Sequence, residues 1–127
     1  PPEEYNITPF FKVADVLLTE ASSTIYEMLA CGKPVVVNRF FKLKLSHRLF
    51  KNRLYKKRLN QEMEKDISSF CFEALKPSDI PLALDSALNQ FSGKQNKVKE
   101  NQKKMLFKLD GLAASRAKEI ILSYKDN

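Results

Sequence analysis

Residues 17–37, LLTEASSTIYEMLACGKPVVV, constrain the fold more than any other part of the chain. The apolar run Val13 to Leu18 (VADVLL) reads as a short buried strand, and it leads into the polar turn Thr19-Glu20-Ala21-Ser22-Ser23. Ser22 to Cys31 has helical spacing, with Ile25, Met28 and Leu29 on one face and Gly32 at the C-terminal cap position. Lys33-Pro34 then launches Val35-Val36-Val37, a β-branched run expected of a parallel strand. Strand, helix and strand with connections this short make a βαβ unit, whose crossover is right-handed in nearly all cases.

The remainder fits around that unit as an α/β chain. Tyr5 to Phe11 reads as a turn or short helix with Pro9 inside it, and Ser68 to Phe72 (SSFCF) as a third short strand. Pro77 to Pro81 is a loop, with Asp79 as N-cap and Pro81 in the first turn of the next helix. Leu82, Leu84, Ala87, Leu88 and Phe91 give that helix its apolar pattern, and Ser92-Gly93-Lys94 ends it. Lys94 to Leu109 is lysine-rich and helical until Asp110-Gly111 breaks it. Leu112 to Tyr124 is a last amphipathic helix, expected to turn Ile120 and Ile121 toward the core. Most doubly wound sheets have five or more strands, so the missing ones should precede Pro1. With no initiator Met and an opening Pro1-Pro2-Glu3-Glu4, residues 1–127 read as the C-terminal portion of a Rossmann-like domain from a longer protein.

The net charge of +7 is informative through its unevenness. No acidic residue lies between Glu27 and Glu62, while that stretch holds Lys33, Arg39, Lys42, Lys44, Arg48, Lys51, Arg53, Lys56, Lys57 and Arg58. Such a block fits an anionic neighbour (nucleic acid, anionic lipid or a phosphate-rich substrate) or is simply a solvated face. Its leucines fall on opposite sides of a helical projection, so an irregular helical insert is expected over about 40–66. No run reaches the roughly 18 apolar residues of a membrane span, and no signal-peptide pattern is present. Cys31 and Cys71 have no partner at metal spacing and lie in apolar segments, so they read as buried, reduced thiols of a cytoplasmic protein. No metal or cofactor is expected.

In an open α/β sheet, ligands bind at the carboxyl ends of the strands. Thr19-Glu20-Ala21-Ser22-Ser23 occupies that end of the first strand. The N–H groups of Ser23, Thr24 and Ile25 lack helical partners, and with the Ser22 and Ser23 hydroxyls they could hold a diphosphate. Ser22 is equally suited to be a plain helix cap. Glu27 follows the hydroxyl pair by one turn, and a carboxylate there can accept both hydroxyls of a ribose or a glycerol. No Gly-x-Gly-x-x-Gly or Walker pattern occurs, which excludes ordinary dinucleotide and P-loop sites.

These residues resemble a family. Thr19-Glu20-Ala21-Ser22-Ser23-Thr24-Ile25-Tyr26-Glu27 is similar to the Thr-Asp-x-Ser-Ser-x-x-x-Asp signature of CDP-glycerol glycerophosphotransferases, the teichoic-acid polymerase and primase group. Asp110-Gly111-Leu112-Ala113-Ala114-Ser115-Arg116 resembles the family's Asp-Gly-x-Ala-Ser-x-Arg segment. Glu27 to Val36 is similar to the Glu-Ala-Met-Ala-x-Gly-x-Pro-Val-Val element of two-domain (GT-B) glycosyltransferases, in which the Glu holds the nucleotide ribose. The resemblance covers about Val13 to Asn38 and Asp110 to Ile121. Glu20 and Glu27 stand where the glycerophosphotransferases usually have Asp, and Ala21 replaces a common Tyr.

The resemblance implies a GT-B fold of which this chain is the donor-binding half, with Thr19, Glu20, Ser22, Ser23, Thr24 and Glu27 at the nucleotide and phosphate. The donor would be CDP-glycerol or a nucleotide sugar. The acceptor would be a cell-surface polymer or lipid-linked group, bound largely by an N-terminal half of the same enzyme. The family's catalytic histidine belongs to segments outside this chain, and His47, the sole histidine, reads as a surface residue. Lys51, Arg53, Lys56, Lys57 and Arg58 are expected to meet the anionic acceptor or the inner face of the membrane. A basic nucleic-acid or anionic-membrane binding module without catalysis is the rival reading. Phe40, Phe41, Phe50 and Tyr55, interleaved with the cations, favour it.

Overall fold

In a computed structural model of the chain, residues 6–20, 22–40 and 61–124 are described. Three short strands, β1 (Leu17–Thr19), β2 (Val35–Asn38) and β3 (Phe72–Ala74), form one sheet in the order β1-β2-β3. Both pairings are parallel: Leu17 lies opposite Val35, and Val36 opposite Phe72. The helices are α1 (Thr8–Val13), α2 (Thr24–Ala30), α3 (Gln61–Phe70), α4 (Ile80–Gln90), α5 (Gln95–Leu106) and α6 (Ala113–Ser123). Short 3-10 turns at Pro77–Asp79 and Phe91–Lys94 bracket α4.

The pleat of β2 sorts the core into two layers. Val35 and Val37 face one side, where they join Phe11, Ile25, Met28, Leu29, Ile67, Phe70 and Val98 from α1, α2, α3 and α5. Val36 faces the other side and meets Ala74 with Ala83 and Ala87 of α4. All three valines are at most 1% exposed, as expected for a strand covered on both faces. The fold is therefore α/β: a parallel sheet with helices on each face, consistent with a portion of a Rossmann-like domain.

The expected βαβ unit is present, and two strand boundaries are corrected. The first strand is only Leu17–Thr19, because Thr8 to Val13 forms α1 with Pro9 in its first turn and Val13 exposed. Lys33 holds the end of that helix by donating from Nζ to the carbonyls of Lys12 (2.6 Å) and Ala14 (2.8 Å). Ser68 to Phe70 belongs to α3 rather than to a strand, and β3 starts at Phe72. Ile67, Phe70 and Cys71 are buried at helical spacing, and Ser69 Oγ donates back to the Asp66 carbonyl at 2.6 Å. Asp79 takes the expected N-cap position of α4 without a side-chain cap bond. Its carboxylate accepts from Leu75 N–H (3.2 Å) and Lys76 N–H (3.1 Å), closing the turn instead of capping α4.

Helix α6 forms as expected, but Ile120 and Ile121 are 59% and 61% exposed among the described residues. Both sheet faces are already covered before the chain reaches it, so the core offers no place for this stripe. Cys31 is likewise exposed, because it falls off the Ile25–Met28–Leu29 stripe at the end of α2. Cys71 is buried, and burial pushes its thiol up to about 12. Among the described residues no helix is long and apolar enough to cross a membrane. Of the insert expected over 40–66, residues 61–66 are the start of α3, and 41–60 lie outside the described residues.

Candidate functional site

Each strand of a parallel sheet delivers its carboxyl end to the same edge, and here that edge carries Thr19, Asn38 and Ala74. The chain turns from Thr19 into α2 through a cluster of three hydroxyls. Ser22 Oγ lies 2.5 Å from Thr24 Oγ1 and 3.1 Å from Thr19 Oγ1, and Thr19 Oγ1 is 3.3 Å from Thr24 Oγ1. Ser22 thus engages other hydroxyls rather than acting as a backbone cap. Ser23, at the N-cap position, makes no side-chain cap bond and is exposed. The Ile25 N–H expected to be free donates to the Ser22 carbonyl at 3.3 Å, and Tyr26 N–H donates to the Ser23 carbonyl at 2.9 Å.

Of the sequence-predicted site residues, the structure gathers Thr19, Ser22 and Thr24 into one cluster. Glu27 is exposed one turn further along α2, and Glu20 is exposed in the turn itself. A hydroxyl both donates and accepts, so the cluster satisfies itself when empty and can turn its hydrogens toward an anion. His47 and the block Lys51, Arg53, Lys56, Lys57 and Arg58 lie outside the described residues.

The described part of the basic stretch is committed to structure. Lys33 is spent on α1, as above. Arg39, just past β2, donates to Glu64 at 2.6 Å and to Glu73 at 2.8 and 3.1 Å, and Ser68 Oγ adds a 2.8 Å bond to Glu73. Burial works against the Glu73 charge, but the bonds from Arg39 and Ser68 outweigh it and hold the carboxyl below its usual range. The same bonds, against the same burial cost, raise Arg39. This network ties β2, β3 and α3 together at the carboxyl edge.

Beside it, a cleft of about 460 Å³ opens between α2, α3 and α5, lined by Tyr26, Met63, Met105 and Leu106 with Glu62, Asp66 and Lys104. Lys104 Nζ donates to Glu62 at 2.9 Å and to Asp66 at 2.7 Å, which keeps its ammonium charged. Tyr26 Oη is buried and has no hydrogen-bond partner among the described residues, and its pKa is raised first by burial, then by Glu64, Asp66 and Cys71. Nothing in the sequence pattern singled out this cleft, because its polar lining comes from two helices 38 and 42 residues apart at their contacts.

The second resembling segment has a structural part to play. Asp110 accepts from Leu112 N–H at 3.0 Å and from Arg116 at 2.8 and 3.0 Å, fixing the start of α6. The Arg116 bonds, with the Leu112 N–H, lower the Asp110 pKa. Among the described residues no three His, Cys, Asp or Glu side chains gather to hold a metal ion. Fold and site together define an α/β chain with a hydroxyl-rich turn at the carboxyl end of β1. No protein-family model, curated protein or solved structure matches the chain.

Proposed function

We propose that this chain is the donor-binding part of a transferase of GT-B type. It would move glycerol phosphate, or a sugar, from a CDP- or UDP-activated donor to a cell-surface polymer or lipid-linked acceptor. The observation that carries this reading is the cluster of Thr19, Ser22 and Thr24 hydroxyls at the carboxyl end of β1, inside a parallel βαβ unit. That is where open α/β sheets take their ligands. The hydroxyls would turn toward the pyrophosphate, joined by the backbone at Ser23 and Thr24. Glu27, exposed one turn on, would accept the hydroxyls of ribose or glycerol.

In the reaction, an acceptor hydroxyl attacks the glycerol-bearing phosphorus, or the anomeric carbon of a sugar donor, and the nucleotide leaves. These side chains would stabilise negative charge on the leaving nucleotide, an effect on the order of a few kcal/mol.

Calorimetric titration of the full-length protein with CDP, UDP and GDP tests the proposal and identifies the base. The double variant Ser22→Ala/Ser23→Ala should weaken the preferred nucleotide by about 1–3 kcal/mol, through lost charge-assisted hydrogen bonds. Its stability should fall by no more than about 1 kcal/mol. Unchanged nucleotide affinity in a less stable variant would reduce these serines to a structural role.

A further inference from the structure

Phe107 is unfavourable twice over. Its backbone sits at φ 59°, a region that bulky side chains rarely adopt, and its ring is 72% exposed. It follows α5 at the tip of a loop whose other apolar residues, Leu109 and Leu112, are each 54% exposed. Phe107 and Leu109 line a groove of about 250 Å³ together with Lys99, Gln102 and Lys103. Lys99 and Lys103 are four residues apart, on one face of α5. Lys108 Nζ stands 5.4 Å from the Phe107 ring centre, and Arg116 Cζ 5.9 Å.

The nearby acids are largely spoken for. Glu100 pairs with Lys97 at 2.7 Å, and Asp110 with Arg116 at 2.8 Å. The surface is thus an apolar loop tip ringed by Lys99, Lys103 and Lys108.

We infer that the loop from Phe107 to Leu112 is a peripheral membrane contact: Phe107 and Leu109 enter the interface of an anionic bilayer while Lys99, Lys103 and Lys108 meet its headgroups. Charge complementarity chooses the occupant. Cations flanking side chains that partition into hydrocarbon suit an anionic lipid surface, where the two attractions add. A single-stranded nucleic acid would need successive stacking faces, and this loop offers one ring among aliphatic side chains. The inference does not depend on the donor site, since it uses none of those residues.

Co-sedimentation of the full-length protein with vesicles tests it. Binding to phosphatidylglycerol mixed into phosphatidylcholine should exceed binding to phosphatidylcholine alone and should weaken as salt is raised. Lys99→Gln/Lys103→Gln/Lys108→Gln should lower partitioning about 100-fold at low salt. Phe107→Gly should lower it about tenfold, while its thermal midpoint stays level or rises because glycine accepts the positive φ. Equal binding of the parent and the lysine variant would overturn the inference, as would equal binding to neutral vesicles. So would a Phe107→Trp variant whose emission is already that of a buried indole without vesicles, since the loop would then be covered by another part of the protein. Capture of single-stranded RNA through Phe107, with anionic vesicles left unbound, would also overturn it.

Discussion

Arg39 shows how one side chain can remove a charge from one role and fix it in another. Read along the chain, it belongs to a cationic block facing an anionic partner. In the fold its guanidinium is held by Glu64 and Glu73, at 18% side-chain exposure. The Glu73 carboxyl titrates below its ordinary value of 4.5, so the folded state holds this proton less tightly than the unfolded chain does. Its stabilisation is therefore complete above the ordinary value and is lost as pH falls through the folded value. Denaturant titrations of the parent should show stability falling as pH drops below about 5. Arg39→Met should be less stable by about 2 kcal/mol at neutral pH, with a shallower acid dependence. An unchanged acid slope in that variant would assign the effect to other carboxylates. That Arg39 is not free was not legible in the sequence, because its acidic partners Glu64 and Glu73 lie 25 and 34 residues away.

At the scale of elements, three helix ends are closed by side chains that sequence patterns do not reveal. Lys33 closes α1. Lys94 donates to the Ser69 and Cys71 carbonyls at the end of α3, and Gln102 to the Leu29 carbonyl at the end of α2. Gly32, by contrast, was legible: it sits at φ 64° directly after α2, where a left-handed residue lets the chain turn into Pro34 and β2. A Cβ there would meet Gln102 Nε2 at an ordinary 3.7 Å, so space is not the obstacle. Gly32→Ala should cost about 1–2 kcal/mol in urea unfolding, from backbone strain alone. A loss near zero would mean that the turn relaxes. The βαβ unit could be read because its connections are short and β2 carries three successive β-branched valines. The start of β3 could not, because Phe70-Cys71-Phe72 is one apolar run that spans the end of α3 and the first residue of β3. Ile120 and Ile121 form a true amphipathic stripe, but a stripe alone does not say which surface will cover it.

For the whole molecule, the layers explain where a ligand can go. Helices cover both faces of β2, and side chains close the helix ends at Leu29, Ser69 and Cys71, while the Thr19–Ser22–Thr24 hydroxyls lie at the carboxyl edge. The hydroxyl cluster and the cleft beside Tyr26 both belong to the first turns of α2 and α3 and their neighbours at that edge. The candidate site was partly legible: Thr19, Ser22 and Thr24 do converge, whereas the cleft depends on α5 packing against α3. If the proposed function holds, a nucleoside diphosphate binds at the turn between β1 and α2. Amide chemical-shift mapping of the isotope-labelled protein during addition of CDP or UDP tests this most directly. The largest shifts are expected on residues 19–27, with Ser23 and Thr24 foremost and with the amides of Lys99 to Leu112 unmoved. Shifts centred elsewhere, or none at saturating nucleotide, would contradict it.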